Sequence, residues 1–352
     1  MASGVPDAES RRRFLRLLPA AVGAVAAVAS DRTLGERVSP RTCLYCGEAL
    51  GRYGFPDGHP LGEDRQRAFL EEAMARGLDK EVSIEPPRRA ARAEIERFHT
   101  ADYVDRVQHA EARAVDFLDN GDTPVFPGVF EAASAVVGSA LDGLSRIMAA
   151  EYSRSFQPIG GLHHARRDGA AGFCVFNDLG VVIDTLRSEY DVQRVAYVDI
   201  DVHHGDGVFY AYEHDADLIF ADIHEDGLYL YPGTGAANET GRGKAKGTKL
   251  NLPLAPGAGD DAFFAAWPRV LAHLRRFEPQ FLLFQCGADG LEGDPLAHLR
   301  YSPQVHALAT RSLCHLAGEY AAGRLMAFGG GGYDRTNLAQ AWCAVLRELA
   351  RA

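Results

Sequence analysis

Val195-Ala-Tyr-Val-Asp199-Ile-Asp201-Val-His203-His204-Gly205-Asp206-Gly207 decides how this chain is read. Its first half is a run of β-branched and apolar residues, the pattern of a strand buried on both faces. Its second half places three carboxylates and two imidazoles between Asp199 and Asp206. Strand alternation sends Asp199, Asp201 and His203 to one side and Val198, Ile200 and Val202 to the other. Two carboxylates and an imidazole converging on one spot repel or desolvate badly without a cation between them. Oxygen and imidazole donors suit zinc, with iron or manganese behind it.

Outward from this stretch the same pattern repeats. Apolar runs at Leu218 to Ile223, Gln280 to Gln285 and Leu325 to Phe328 read as strands. Helical patterns lie at Asp64 to Arg76, Val129 to Ala150, Asp261 to Phe277, Ser302 to Tyr320 and Asn337 to Arg351. Buried strands alternating with helices predict an α/β fold with a mainly parallel sheet covered on both faces. Ligands of such sheets bind beyond the carboxyl ends of the strands. Those ends are polar here: His224 follows one strand, Cys-Gly-Ala-Asp289 another, and Gly329-Gly-Gly-Gly332-Tyr333 a third. An aspartate after a wholly apolar strand is either a helix N-cap or a ligand. Beside the 199–206 cluster, Asp289 reads as the third ligand. The glycine run has no following Lys-Ser/Thr, so it is no phosphate loop. It allows close backbone approach to a ligand and presents Tyr333, whose hydroxyl can donate to an oxygen gaining negative charge.

Gly160-Gly161-Leu162-His163-His164-Ala165 adds two adjacent imidazoles. They can be metal ligands, buried structural groups, or an acid/base pair beside the metal, each backed by a carboxylate that fixes its tautomer. The third reading fits best, and Asp199 and Asp206 are the spare carboxylates.

With 352 residues, 47% apolar and 24% charged, the chain has the composition of an ordinary globular protein, which excludes intrinsic disorder. Its net charge of −11 and four lysines (Lys80, Lys244, Lys246, Lys249) give no basic field, so no nucleic-acid partner is expected. Six scattered cysteines, mostly in apolar surroundings, read as reduced core thiols. Cys43-Leu-Tyr-Cys46 is a lone CxxC without the second pair that a zinc ribbon needs, and a redox role is the minor alternative. Residues 1–40 hold Ser10-Arg-Arg-Arg-Phe-Leu15 and an apolar stretch to Val28. This is either a twin-arginine-like export signal or an arginine- and alanine-rich extension. The stretch is too short to span a bilayer stably. A cytoplasmic location is expected for the extension, and export to the periplasm for the signal. Residues 41–352 show no linker and no internal repeat and are expected to form one domain.

The chain resembles the zinc-dependent histone deacetylase superfamily, which includes bacterial acetoin-utilisation-type proteins and acetylpolyamine amidohydrolases. The likeness rests on Gly58-His-Pro60 with Arg65, Phe98-His-Thr100, Leu162-His-His-Ala165, Gly172-Phe-Cys174, the 199–207 stretch, Tyr231-Pro-Gly-Thr-Gly235, Gly287-Ala-Asp289, Asp294-Pro295 and Gly329 to Tyr333. It covers roughly residues 42 to 350, and it implies an arginase-like three-layer α/β/α fold.

The resemblance implies zinc held by Asp201, His203 and Asp289, with Fe2+ as the alternative in the cell, and potassium bound by oxygens around Asp199, Asp201 and His203. It pairs His163 with Asp199 and His164 with Asp206, and it makes Tyr333 the polariser of the scissile carbonyl. Phe173 and Tyr231 fall on the walls of an acyl-chain tunnel, Gly172 and Gly331 on its substrate-binding backbone, and Arg65 on an acetate channel. The activity implied is hydrolysis of an acyl amide on a lysine side chain or a small, polyamine-like amine. Many relatives have a rim aspartate that clamps substrate; here Asp116, Asp119 and Asp122 are all candidates. The alternatives are a silent acyl-lysine or small-ligand binding protein of the same fold, and a binuclear-manganese ureohydrolase. The latter needs bridging aspartates that Gly290-Leu-Glu-Gly-Asp294 does not supply. The oligomeric state is left open.

Overall fold

The computed structural model describes residues 42–56 and 58–352. The segment at residues 10–28, read above as signal or extension, lies outside them. Eight strands form one sheet: β1 Thr42–Tyr45, β2 Ser83–Glu85, β3 Arg154–Gln157, β4 Val195–Asp199, β5 Leu218–Glu225, β6 Lys249–Leu254, β7 Phe281–Gln285 and β8 Leu325–Phe328. Their order is β2-β1-β3-β8-β7-β4-β5-β6, and every neighbouring pair is parallel. All eight carboxyl ends therefore lie along one edge. The helices are α1 Glu48–Gly51, α2 Arg65–Ala75, α3 Arg92–Ile95, α4 Ala101–Gln108, α5 Val129–Met148, α6 Asp178–Tyr190, α7 Asp206–Ala211, α8 Asp260–Phe277, α9 Pro303–Tyr320 and α10 Arg335–Arg351.

Two apolar cores, one on each face of the sheet, make three layers. Val136, Val137, Leu144, Leu179, Val182 and Val208, from α5, α6 and α7, pack with Tyr197, Phe220 and Leu283. Phe69, Phe263, Trp267, Leu313, Trp342 and Leu346, from α2, α8, α9 and α10, pack with Val198, Ile219 and Leu282. Alternation along β4 thus feeds Tyr197 to one core and Val198 to the other, which is why its sequence is apolar until Asp199. Complete burial of each large aliphatic side chain is worth about 1.5–3 kcal/mol, so the central strands fix the sheet before any polar group contributes.

The three-layer α/β/α architecture is as expected. β1, β2, β3 and β6 are additions to the sequence reading, and β4 ends at Asp199 rather than running on to Asp201. Cys43 and Cys46 lie on opposite sides of the sheet, in different cores, so the CxxC is no redox pair. All six cysteines are free and buried. Among the described residues no helix is long and apolar enough to cross a membrane.

Candidate active site

Four adjacent central strands, β3, β8, β7 and β4, deliver the site. Beyond β4 the chain bends, and Asp201 and His203 turn toward Asp289 from beyond β7. One donor atom from each of these three buried residues lies within 4.8 Å of the others. His203 Nδ1 is 3.1 Å from Asp201 Oδ1 and 3.2 Å from Asp289 Oδ2. The second contact has no hydrogen-bond geometry, and Asp289 Oδ2 is a buried acceptor without a partner. Asp289 caps no helix; its Oδ1 accepts from Val202 N at 3.0 Å. Asp201 Oδ2 accepts from Gln285 Nε2 and Gly331 N, each at 2.8 Å. Burial alone would lower the His203 pKa, but its bond to Asp201 and the adjacent Asp289 carboxylate push it up to about 10. Burial and the Asp201 charge push Asp289 up to about 7. A proton on His203 thus fills the role of a cation. Two carboxylate oxygens and one imidazole nitrogen with an orphaned oxygen fit a divalent metal of the zinc type.

The two histidines lie beside this group and are backed as the sequence suggested. His163 Nδ1 is 2.8 Å from Asp199 Oδ2 and His164 Nδ1 is 2.6 Å from Asp206 Oδ1. Their Nε2 atoms are 3.1 Å apart. With Nδ1 turned to its carboxylate, each ring presents Nε2 to the site. Burial, followed by the charge of His163, pushes the His164 pKa down to about 4 against the pull of Asp206. His164 is thus neutral at pH 7, with Nε2 free to accept a proton.

Tyr333 reaches the same space from the glycine run after β8. Its backbone N–H donates to Asp294 Oδ2 at 2.8 Å. Burial and the carboxylates Asp289 and Asp201 raise its pKa well above the usual tyrosine value, so the hydroxyl stays a donor. Gly331 is fixed in kind by close approach: a Cβ there would lie 1.9 Å from Asp289 Oδ2. Gly172 is held at φ +51°, with His164 Cδ2 2.6 Å from where a Cβ would be. Arg65 is buried and forks onto two carbonyls of the glycine run, Nε to Gly332 O at 2.9 Å and Nη2 to Gly330 O at 2.6 Å.

A small chamber of about 20 Å³, lined by Leu61, His163, His164, Asp201, His203 and Tyr333, shares His164, Gly172, His203 and Tyr333 with a wider mouth of about 210 Å³. Phe173 and Tyr231 form walls of the mouth with Leu230 and Leu296, and among the described residues Asp122 is the carboxylate that lines it. Among the three candidate rim aspartates, Asp119 is occupied in its own loop, accepting from Gly121, Asp122 and Thr123. A larger surface groove of about 700 Å³, lined by Glu48, Arg52, Glu63, Arg89 and Glu131, holds none of these groups. His224 is not part of the site: it is buried, with Nδ1 2.7 Å from Asp222 Oδ1 and Nε2 3.0 Å from Gly235 O.

Sequence reasoning missed three supporting residues. Tyr197 donates its hydroxyl to Asp199 Oδ2; sitting two residues earlier on the same strand face, it was open to an alternation argument. Gln285 holds Asp201, and its polar side chain at the end of an apolar strand was the available signal. Asp178 accepts from Gly161 N and Leu162 N at 2.9 and 2.8 Å, which anchors the turn before His163. Its only local sign is its place at the start of α6.

Comparison with known protein families matches residues 59–349 to the histone deacetylase domain. This chain belongs to the histone deacetylase family. Family relatives include the acetoin utilization protein AcuC of Bacillus subtilis, 36% identical over 84% of this chain and 79% of that protein. Histone deacetylase RPD3 of Saccharomyces cerevisiae is 31% identical over 86% of this chain and 70% of its own length. Among solved structures, the crystal structure of the HDA15 HD domain superposes with a TM-score of 0.81 at 26% identity, covering 89% of this chain and 88% of that one.

Proposed function

We propose that this protein is a zinc-dependent amidohydrolase that removes an acetyl group from a lysine side chain or a small acylated amine. The observation that carries the reading is the orphaned Asp289 Oδ2 in the Asp201–His203–Asp289 group, next to two carboxylate-backed histidines whose Nε2 atoms are 3.1 Å apart. Family membership supports the acetyl-amide substrate class. Asp201, His203 and Asp289 would hold the ion. Bound there, it supplies Lewis-acid polarisation of the acyl carbonyl and acidifies water.

The remaining chemistry belongs to the chain. The acylated side chain enters between Phe173 and Tyr231, with Gly172 leaving room beside His164. His164 Nε2 accepts the proton of the attacking water, and Asp206 stabilises the imidazolium that results. The Tyr333 hydroxyl donates to the acyl oxygen as it gains negative charge. His163, held by Asp199 behind it, is the group that protonates the leaving amine. Asp122, at the mouth, accepts from the donor groups of the substrate that stay outside. Arg65 holds the glycine run in place from behind, on the side where an acetate exit is proposed. Backbone oxygens around Asp199, Asp201 and His203 are the proposed seat of potassium.

The binuclear-manganese alternative loses support because a single ligand group gathers among the described residues. The test is acetate release by the zinc-loaded full chain from acetyl-lysine peptides, acetylputrescine and acetylspermidine, with Tyr333→Phe and a chelator as controls. Turnover abolished by both is expected. No turnover on any substrate at stoichiometric zinc would overturn the reading in favour of a binding protein.

A further inference from the structure

Lys249 is the first residue of β6, the edge strand beside β5, and its side chain is 1% exposed. A buried lysine ordinarily meets a carboxylate. This one makes no ion pair among the described residues. Instead its Nζ donates to the backbone carbonyls of Asp215 at 2.7 Å and Leu218 at 2.6 Å, and to Thr248 Oγ1 at 3.0 Å. An ammonium has three donors, and each has one oxygen. The Asp215 carboxylate pairs with Arg187 and accepts from Asp217 N and Leu218 N, and Asp217 acts on the ammonium only through its charge. Across the cage, from α8, His273 Nε2 bonds Thr248 O at 3.2 Å. The stem of Lys249 runs beside Gly241, where a Cβ would lie 3.1 Å from its Cγ. Burial pushes the ammonium pKa down to about 8, and Asp215 pulls it back, so it is charged at neutral pH.

A positive centre surrounded by neutral carbonyl and hydroxyl oxygens is the coordination that proteins offer to a hard monovalent cation. We propose that the Lys249 ammonium is a covalently tethered monovalent cation, and that the oxygen cage of Asp215, Leu218 and Thr248 binds a free potassium or alkylammonium ion once that side chain is removed. The cage joins the turn between α7 and β5, which holds Asp215, to the first residue of β5 and to Thr248 just before β6. The proposal does not depend on which reaction the site performs.

The test is thermal unfolding of the zinc-loaded full chain at one ionic strength in tetramethylammonium, potassium or n-propylammonium chloride. The last is the fragment that Lys249→Ala deletes. Wild type sets the baseline response to each salt. Lys249→Ala should melt on the order of 5 °C or more below wild type in tetramethylammonium, since buried carbonyls lose their donors. It should recover at least half of that drop in potassium or n-propylammonium. Lys249→Met, which fills the space without charge, should melt low in all three salts. A Lys249→Ala variant that responds to the salts no more than wild type overturns the proposal, as does its failure to fold in every salt. So does a Lys249→Met variant that melts with wild type.

Discussion

Gly331→Ala probes the metal centre without altering a ligand. A Cβ at residue 331 would lie 1.9 Å from Asp289 Oδ2 and 3.0 Å from Asp201 Oδ2. Carbon–oxygen contacts settle at about 3.3 Å, so Asp289 Oδ2 or the glycine run must give way by about 1.4 Å. Zinc–oxygen bonds of about 2.0–2.2 Å accept displacements of only about 0.2 Å. The forced movement is several times that tolerance, so a ligand is lost or badly placed. Disturbing the outer partners of a metal ligand already costs about 10–100-fold in affinity, and we expect zinc to bind the variant roughly 100-fold more weakly or worse. If the loop yields instead, Tyr333 moves with it and turnover falls while affinity is partly kept. Zinc competition against a chromophoric chelator, alongside circular dichroism to confirm the fold, reads the first outcome, and acetate release reads the second. A folded variant with wild-type zinc affinity and wild-type turnover would refute the assignment of Asp289 Oδ2 as a ligand.

Tyr333→Phe should lower kcat by about 10²–10³ with zinc still bound, because one oxyanion donor is lost and no ligand is touched; equal losses of zinc and activity would contradict that role. His164→Ala should cost about 10²–10⁴ in kcat/KM, measured by steady-state acetate release, and a loss under tenfold would remove it as the base. Zinc needs a neutral His203, whose metal-free pKa is about 10. Binding at pH 7 must therefore release at least one proton, and apparent affinity falls as pH is lowered. Calorimetry in buffers of differing ionisation enthalpy measures the count, and a value of zero would contradict the protonated metal-free state. Asp122→Asn should raise KM for acetyl-lysine peptides while leaving kcat nearly unchanged; a kcat effect alone would place it elsewhere.

Where one residue pattern had one structural solution, the sequence was legible. β7 and β8 fall within a residue of their apolar runs, and Asp201, His203 and Asp289 converge as the strand-end argument required. The convergence is not strand alternation carried through, because β4 stops at Asp199 and the bend beyond it does the aiming. β3, Arg-Ser-Phe-Gln, escaped because its four residues include three polar ones, all buried by neighbours distant in sequence. β6 escaped because Pro253 interrupts its pattern, which only an edge strand tolerates. Tyr197 and Gln285 were readable as core and strand end, but their roles depend on where Asp199 and Asp201 point, which is a tertiary fact. The choice among Asp116, Asp119 and Asp122 depended on a loop conformation that composition does not encode.

Arg65 spans more than 260 residues of sequence to bond Gly330 and Gly332. Four consecutive glycines are among the floppiest stretches a chain can hold, and a site that relied on them would have to order them at each turnover. A helix near the start of the domain instead freezes them once, when the chain folds. Tyr333 is then waiting in position, and substrate binding is spared that entropic penalty. By the same token, a domain severed anywhere between Arg65 and the glycine run would have its chemistry intact on one fragment and its rigidity on the other. Recovery of activity on mixing the two halves would then report the rejoining of a single guanidinium to two carbonyls.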